Sequence, residues 1–260
     1  MPVISGYLVW TDRHRLSPVF EPARRQAALF LLPGLALLVA YWSGRAAGWQ
    51  PSSENDRLCL LTLAFLCCFA SGYAWFLGGQ ILRGTAFPLA FLIFMVPFPL
   101  GLENALVDFL QHSSAEVSYL MLTGSGMSVF REGTQFTLPG VVIGVAPECS
   151  GVRSSLVLFI TGLLAGYFFL RRPWSRITLA ALLLPLGILR NAVRIFTLAQ
   201  LAVHYDPNIL DSPLHHRGGP LFFAVSLLPF FLLIWLLRKW ETGWKKESRE
   251  RNAAGTTAPS

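Results

Sequence analysis

Residues 26–44, 58–82, 84–101 and 220–237 contain no charged side chain. About 20 apolar residues in a helix, at 1.5 Å each, cross a hydrocarbon core of roughly 30 Å. Lipid offers the backbone no hydrogen-bond partner, so such runs are read as spanning helices. Two further stretches belong with them. Residues 152–170 are apolar after Arg153 and stop at Arg171 and Arg172. Residues 177–201 are apolar for thirteen residues before taking in Arg190, Asn191 and Arg194. Composition agrees: 13% of the chain is charged, against about 25% in a soluble domain. That leaves too little polar surface for a soluble enzyme and excludes a disordered chain or a nucleic-acid-binding tail; no nucleic-acid partner is expected. The fold class implied is all-α, a polytopic transmembrane helical bundle, with the lipid bilayer as its first partner.

Residues 102–127 are harder to place. Glu103, Asp108, Gln111, His112, Ser113, Ser114 and Glu116 make this segment too polar to face lipid. An amphipathic helix at the interface is one reading, and a seventh span buried among the others is the second. Positive charge favours the first. With six spans and both termini inside, the cytoplasmic side holds Arg13, Arg15, Arg24, Arg25, Arg83, Arg171, Arg172 and Arg176. The C-terminal tail adds Arg238, Lys239, Lys245, Lys246, Arg249 and Arg251. These make fourteen of the 21 basic residues, the asymmetry that sets topology in membrane proteins. A seventh span would place the four N-terminal arginines outside.

The first 25 residues lack the apolar core of a signal peptide, and 26–44 lacks a small-x-small cleavage pattern. The chain is therefore divided into a cytoplasmic N-terminal segment (1–25), an integral membrane domain (26–239) and a polar tail (240–260) expected to be disordered. Between Met127 and Cys149, short β-prone runs flank turn-forming residues. This reads as a hairpin or extended loop on the outer face that delivers the chain to Cys149.

Of the four cysteines, Cys59, Cys67 and Cys68 lie in the second apolar stretch and read as packing residues. Cys149 stands apart, following Pro147 and Glu148 and preceding an apolar helix. A thiol at a helix N-terminus meets the positive end of the dipole, which favours thiolate. Arg153, four residues on, adds positive potential. Arg190 and Arg194 are spaced i, i+4 with Asn191 between them, and two arginines inside a span mark a functional site by default. The loop before the last span carries Asp211, His215, His216 and Arg217. Its imidazoles titrate near neutrality and suit acid–base work. Metal binding by His204, Asp206, Asp211, His215 and His216 is weaker, because the histidines lack helical zinc spacing; no metal or other cofactor is expected. Cys149, Arg194 and the histidine pair all fall on the outer face.

This order of motifs, Pro-Glu-Cys-Ser-Gly-Val-Arg (147–153), Asn-Ala-Val-Arg-Ile (191–195) and His-His-Arg-Gly-Gly (215–219), resembles the exosortase/archaeosortase family of membrane sorting enzymes. The resemblance covers about residues 85–238. It implies catalytic residues at Cys149, Arg194 and His215, with His216 the alternative to His215, and a count of six to eight spans. It also implies that the enzyme recognises a C-terminal sorting signal of the PEP-CTERM type on exported proteins. Cleavage would pass through an acyl-thioester, with transfer to an acceptor nucleophile of unknown identity, in a bacterial inner membrane and in the setting of exopolysaccharide assembly. Cys149 would attack the scissile carbonyl, His215 would move the proton, and Arg194 would stabilise the oxyanion. Glu148, Arg153, Arg190, Asn191 and His216 would support the site or bind substrate, Arg153 and Arg190 by holding the acidic residue of the signal. Two other classes compete: a transporter, which intramembrane arginines also suit, and a non-catalytic assembly factor for export. A metalloprotease is a third.

Overall fold

The computed structural model describes residues 1–12, 23–48, 53–145, 151–206 and 219–255. They divide into two compact units, Met1–Asn104 and Ala105–Ser260.

In the first unit, helix α1 (Pro2–Asp12) packs on the short α5 (Ala86–Phe91), and α2 (Arg24–Ala46) pairs with α3 (Glu54–Leu77). Small residues let α2 and α3 approach closely, as membrane helices require. A Cβ at Gly34 would lie 3.1 Å from Cys67 Cβ and from Cys68 Sγ, and Ser71 Oγ donates to the Ala27 carbonyl at 2.8 Å. Cys67 and Cys68 are thus packing residues at a helix contact. Their outward neighbours Leu29, Leu32, Phe65 and Phe76 stay exposed, the face that lipid covers. Ser53 caps α3 by accepting from Asp56 N. The N-terminal segment holds a helix, α1, with Leu8 buried.

The apolar stretch 84–101, expected to be a span with a lower half made irregular by Pro88, Pro97 and Pro99, is not one helix. It contains the end of α4 (Gly79–Gly84), α5, a 3-10 turn (Leu92–Met95) and a non-helical break holding Pro97 and Pro99. Proline lacks the N–H that continues a helix. The long helix follows instead: α6 (Leu100–Gly124), 25 residues. Among the described residues, five helices have the length and apolarity to cross a membrane. A sixth follows if Ala86–Met95 and Leu100–Gly124 count as one broken span. This meets the lower end of the six-to-eight expectation.

In the second unit, Leu110, Gln111, Ser114, Ala115, Ser118 and Leu122 form the buried face of α6. A three-stranded antiparallel meander, β1 (Phe130–Glu132), β2 (Gln135–Leu138) and β3 (Val141–Gly144), follows it. This is the hairpin read from the sequence, with one more strand. Pro139 and Gly140 form the second turn; Pro presets φ and Gly140 supplies φ +80°. Phe136, Leu138, Ile143 and Val145 bury against Ala115 and Leu122 of α6 and Ile195 and Ala199 of α8 (Pro173–His204). Arg131 clips the sheet's edge to Glu116 of α6 at 2.6 Å.

Helices α7 (Val152–Phe169), α8 and α9 (Gly219–Gly255) share a second core of Leu158, Leu170, Leu179, Leu183, Phe230 and Ile234. Glycines set the α7–α8 contact: a Cβ at Gly162 would collide with Leu183, and one at Gly187 would meet Ser155 Oγ at 2.8 Å. The tail expected to be disordered is helical through Gly255, as a continuation of α9.

Candidate active site

The middle of α8, beside the start of α7, carries the polar groups. Gly151 is the N-cap of α7 in the left-handed region, φ +76°. A Cβ there would be strained and would sit 3.1 Å from Asn191 Cγ and Oδ1 and 3.3 Å from Arg190 Nη2. Glycine is therefore required at 151 both by conformation and by space.

Arg190 is 8% exposed and Asn191 3%. The guanidinium reaches across to α7, where Nη2 donates to Ser154 Oγ at 2.6 Å, to Ser155 Oγ at 3.3 Å and to the Gly151 carbonyl at 3.4 Å. Ser154 Oγ in turn donates to the same carbonyl at 3.1 Å. Nη1 of Arg190 is buried without a hydrogen-bond partner among the described residues. The arginine is thus a strut that fixes the first turn of α7. Arg194, one turn further along α8, is half-buried. Arg153 is exposed. Its side chain is not part of the buried cluster that Arg190 and Asn191 form.

The approach to this point is held as well. Val145, which follows β3, is buried; its N–H donates to the Thr134 carbonyl at 2.9 Å, and its carbonyl accepts from Gln111 Nε2 of α6. Ser118 of α6 donates to the Ala192 carbonyl of α8 at 3.4 Å, beside Asn191. The chain is consequently pinned at Val145 on one side and at Gly151 on the other. Glu148 and Cys149, between those anchors, lie outside the described residues, as do His215 and His216. Arg190, Asn191 and the start of α7 are brought together.

The match to a family decides the identity. The model for the transmembrane exosortase covers residues 1–232. The chain belongs to the exosortase family. No curated protein and no solved structure matches it. Exosortase membership makes this a multi-pass membrane protein of the sorting-transpeptidase family. The match also extends the likeness from residues 85–238 to nearly the whole chain, so the first unit belongs to the exosortase body.

Several residues that build this candidate site are not read from the sequence as site residues: Gly151, Ser154, Ser155 and Gln111. A signal was present for the serines. Two adjacent hydroxyls at the start of an apolar helix, in a chain with an arginine inside another span, are candidates to satisfy that arginine.

Proposed function

We propose that this exosortase is a cysteine protease/transpeptidase that cleaves a C-terminal PEP-CTERM-type sorting signal from exported proteins, at the periplasmic face of a bacterial inner membrane. The observation that carries the reading is the Arg190 strut on Gly151. Gly151 lies two residues after Cys149, and two peptide units span at most about 7 Å. The strut therefore ties the neighbourhood of the thiol to the α8 segment that bears Arg194.

In the proposed reaction, the Cys149 thiolate adds to the carbonyl carbon of the scissile peptide. The oxyanion that forms is stabilised by the Arg194 guanidinium. As the C–N bond breaks, His215, or His216 in its place, gives a proton to the leaving amine, and an acyl-thioester on Cys149 remains. An acceptor amine, hydroxyl or water then attacks that thioester, the histidine takes the acceptor's proton, and the C–S bond breaks to release Cys149 as thiolate. Helix α7 starts at Val152, so its positive end supports the thiolate. Arg153 and Asn191 stand beside this path, with Glu148 next to the nucleophile in sequence. Arg190, being engaged with α7, serves to position the helix rather than to line an anion pathway.

The test is processing in cells. Cys149→Ala should leave the enzyme in the membrane and the sorting-signal protein uncleaved. Continued cleavage by Cys149→Ala would overturn the mechanism.

A further inference from the structure

We propose that the far end of α7, with α8 and α9, forms a binding site for the phosphodiester headgroup of an anionic phospholipid. A pocket of about 370 Å³ there is lined by Phe168, Phe169, Arg171, Arg172, Arg238 and Glu241. Three guanidinium groups and one carboxylate give the lining a formal charge of +2. The carboxylate is already engaged. Glu241 is 6% exposed, and its oxygens accept from the backbone N–H of Arg172 at 2.9 Å and of Arg171 at 3.1 Å. It occupies the N-terminus of α8, where the helix dipole favours an anion. An added anion must then be held by arginine side chains, whose planar forks match phosphate oxygens. Arg171 and Arg238 are exposed. No hydrogen bond or ion pair among the described residues engages either guanidinium.

The apolar half of the lining selects a lipid. Phe168 and Phe169 form the last turn of α7 and are 53% and 50% exposed. They present rings beside the arginines where an acyl chain would run, and a free phosphate needs no such wall. Trp174 at the start of α8, and Trp235 and Trp240 flanking Arg238 in α9, are all exposed. Tryptophan collects at headgroup level. The 18 residues of α7 place this pocket about 27 Å from Gly151, close to the hydrocarbon thickness. It therefore belongs to the opposite membrane face. By the distribution of positive charge that face is cytoplasmic, and basic pockets between helices on that side hold anionic headgroups.

The test uses the full-length protein in mild detergent, titrated with phosphatidylglycerol, phosphatidylcholine or inorganic phosphate. Bound lipid is counted by native mass spectrometry and melting is followed by tryptophan fluorescence. Phosphatidylglycerol should be retained and should raise the melting temperature, whereas phosphatidylcholine and millimolar phosphate should do neither. Arg171→Gln/Arg238→Gln should weaken phosphatidylglycerol retention about tenfold or more. Arg171→Lys/Arg238→Lys should keep most of it, and Arg57→Gln, in the first unit, should change nothing. Equal retention by the glutamine double variant and the wild type would overturn the site. An equal shift with inorganic phosphate alone would overturn the lipid assignment. If the glutamine double variant fails to fold, Arg238→Gln alone carries the test: undiminished retention overturns the proposal.

Discussion

Arg190 Nη2, in the middle of one membrane helix, lies 2.6 Å from Ser154 Oγ in the first turn of another. The same nitrogen reaches Ser155 Oγ and the Gly151 carbonyl. One nitrogen of a buried guanidinium is thereby engaged by two hydroxyls and an N-cap carbonyl, while Nη1 has no hydrogen-bond partner among the described residues. The helix start that follows Cys149 acquires a fixed position.

Removing that strut should destabilise the enzyme and slow it together. Interhelical hydrogen bonds in lipid average about 0.6 kcal/mol, with a maximum near 1.7. Ser154→Ala is expected to lower stability by about 0.5–1 kcal/mol and Arg190→Leu by about 1–3. Arg190→Lys should not restore activity, because the lysine side chain is shorter and its ammonium falls short of the position that Nη2 occupies between Ser154, Ser155 and Gly151. Melting in detergent and cleavage of a sorting-signal reporter measure both effects.

At Gly151 a side chain meets two obstacles, the left-handed φ and the Asn191 contact. Gly151→Ala should therefore destabilise the protein by about 1–2 kcal/mol and reduce reporter cleavage. A larger residue should do worse than alanine. A Gly151→Ala protein with wild-type melting and cleavage would show that this turn does not set the site.

The α7–α8 contact offers a compensation experiment. Gly162→Ala drives a methyl group into Leu183, and overpacking of this kind costs about 1–3 kcal/mol. Gly162→Ala/Leu183→Val should recover part of the loss. Double-mutant thermal melts read the coupling, and simple additivity would contradict the packing.

Thiol accessibility separates Cys149 from the other three cysteines. A membrane-impermeant maleimide applied from the periplasmic side should label Cys149 and abolish cleavage. Cys59, Cys67 and Cys68, partly buried on the spanning helix α3, should stay unlabelled. A protein that is labelled at Cys149 yet still processes substrate would contradict nucleophilic catalysis.

The spanning helices were legible because length and apolarity are properties of a continuous run. Residues 152–170, 177–201 and 220–237 all lie within observed helices or end one residue beyond them. In the stretch 84–101 the prolines Pro88, Pro97 and Pro99 already pointed to an irregular lower half, and the backbone does leave the helix around Pro97 and Pro99. Residues 102–127 carried a contradiction, a helical length with polar side chains. Packing resolves it: Gln111, Ser114 and Ser118 lie on the protein-facing side of α6. The tail reads as disordered from its polarity alone, yet it continues the register of an apolar helix already formed, and extending a helix is easier than nucleating one.

The sequence alone determined that this chain lives in a membrane, which residues are spared from lipid, and that Arg190, Asn191 and Arg194 form one polar stretch in an apolar helix. These are one-dimensional facts, set by the price of placing charge in hydrocarbon. Only the tertiary structure decided what each polar group faces. Arg190 and Arg153 read alike as supports for a substrate carboxylate, but Arg190 is buried against Ser154, Ser155 and Gly151 while Arg153 points outward. The difference comes from helix packing: Gly151 and Gly187 allow α7 and α8 to approach within reach of a guanidinium, and only one of the two arginines lies on that face.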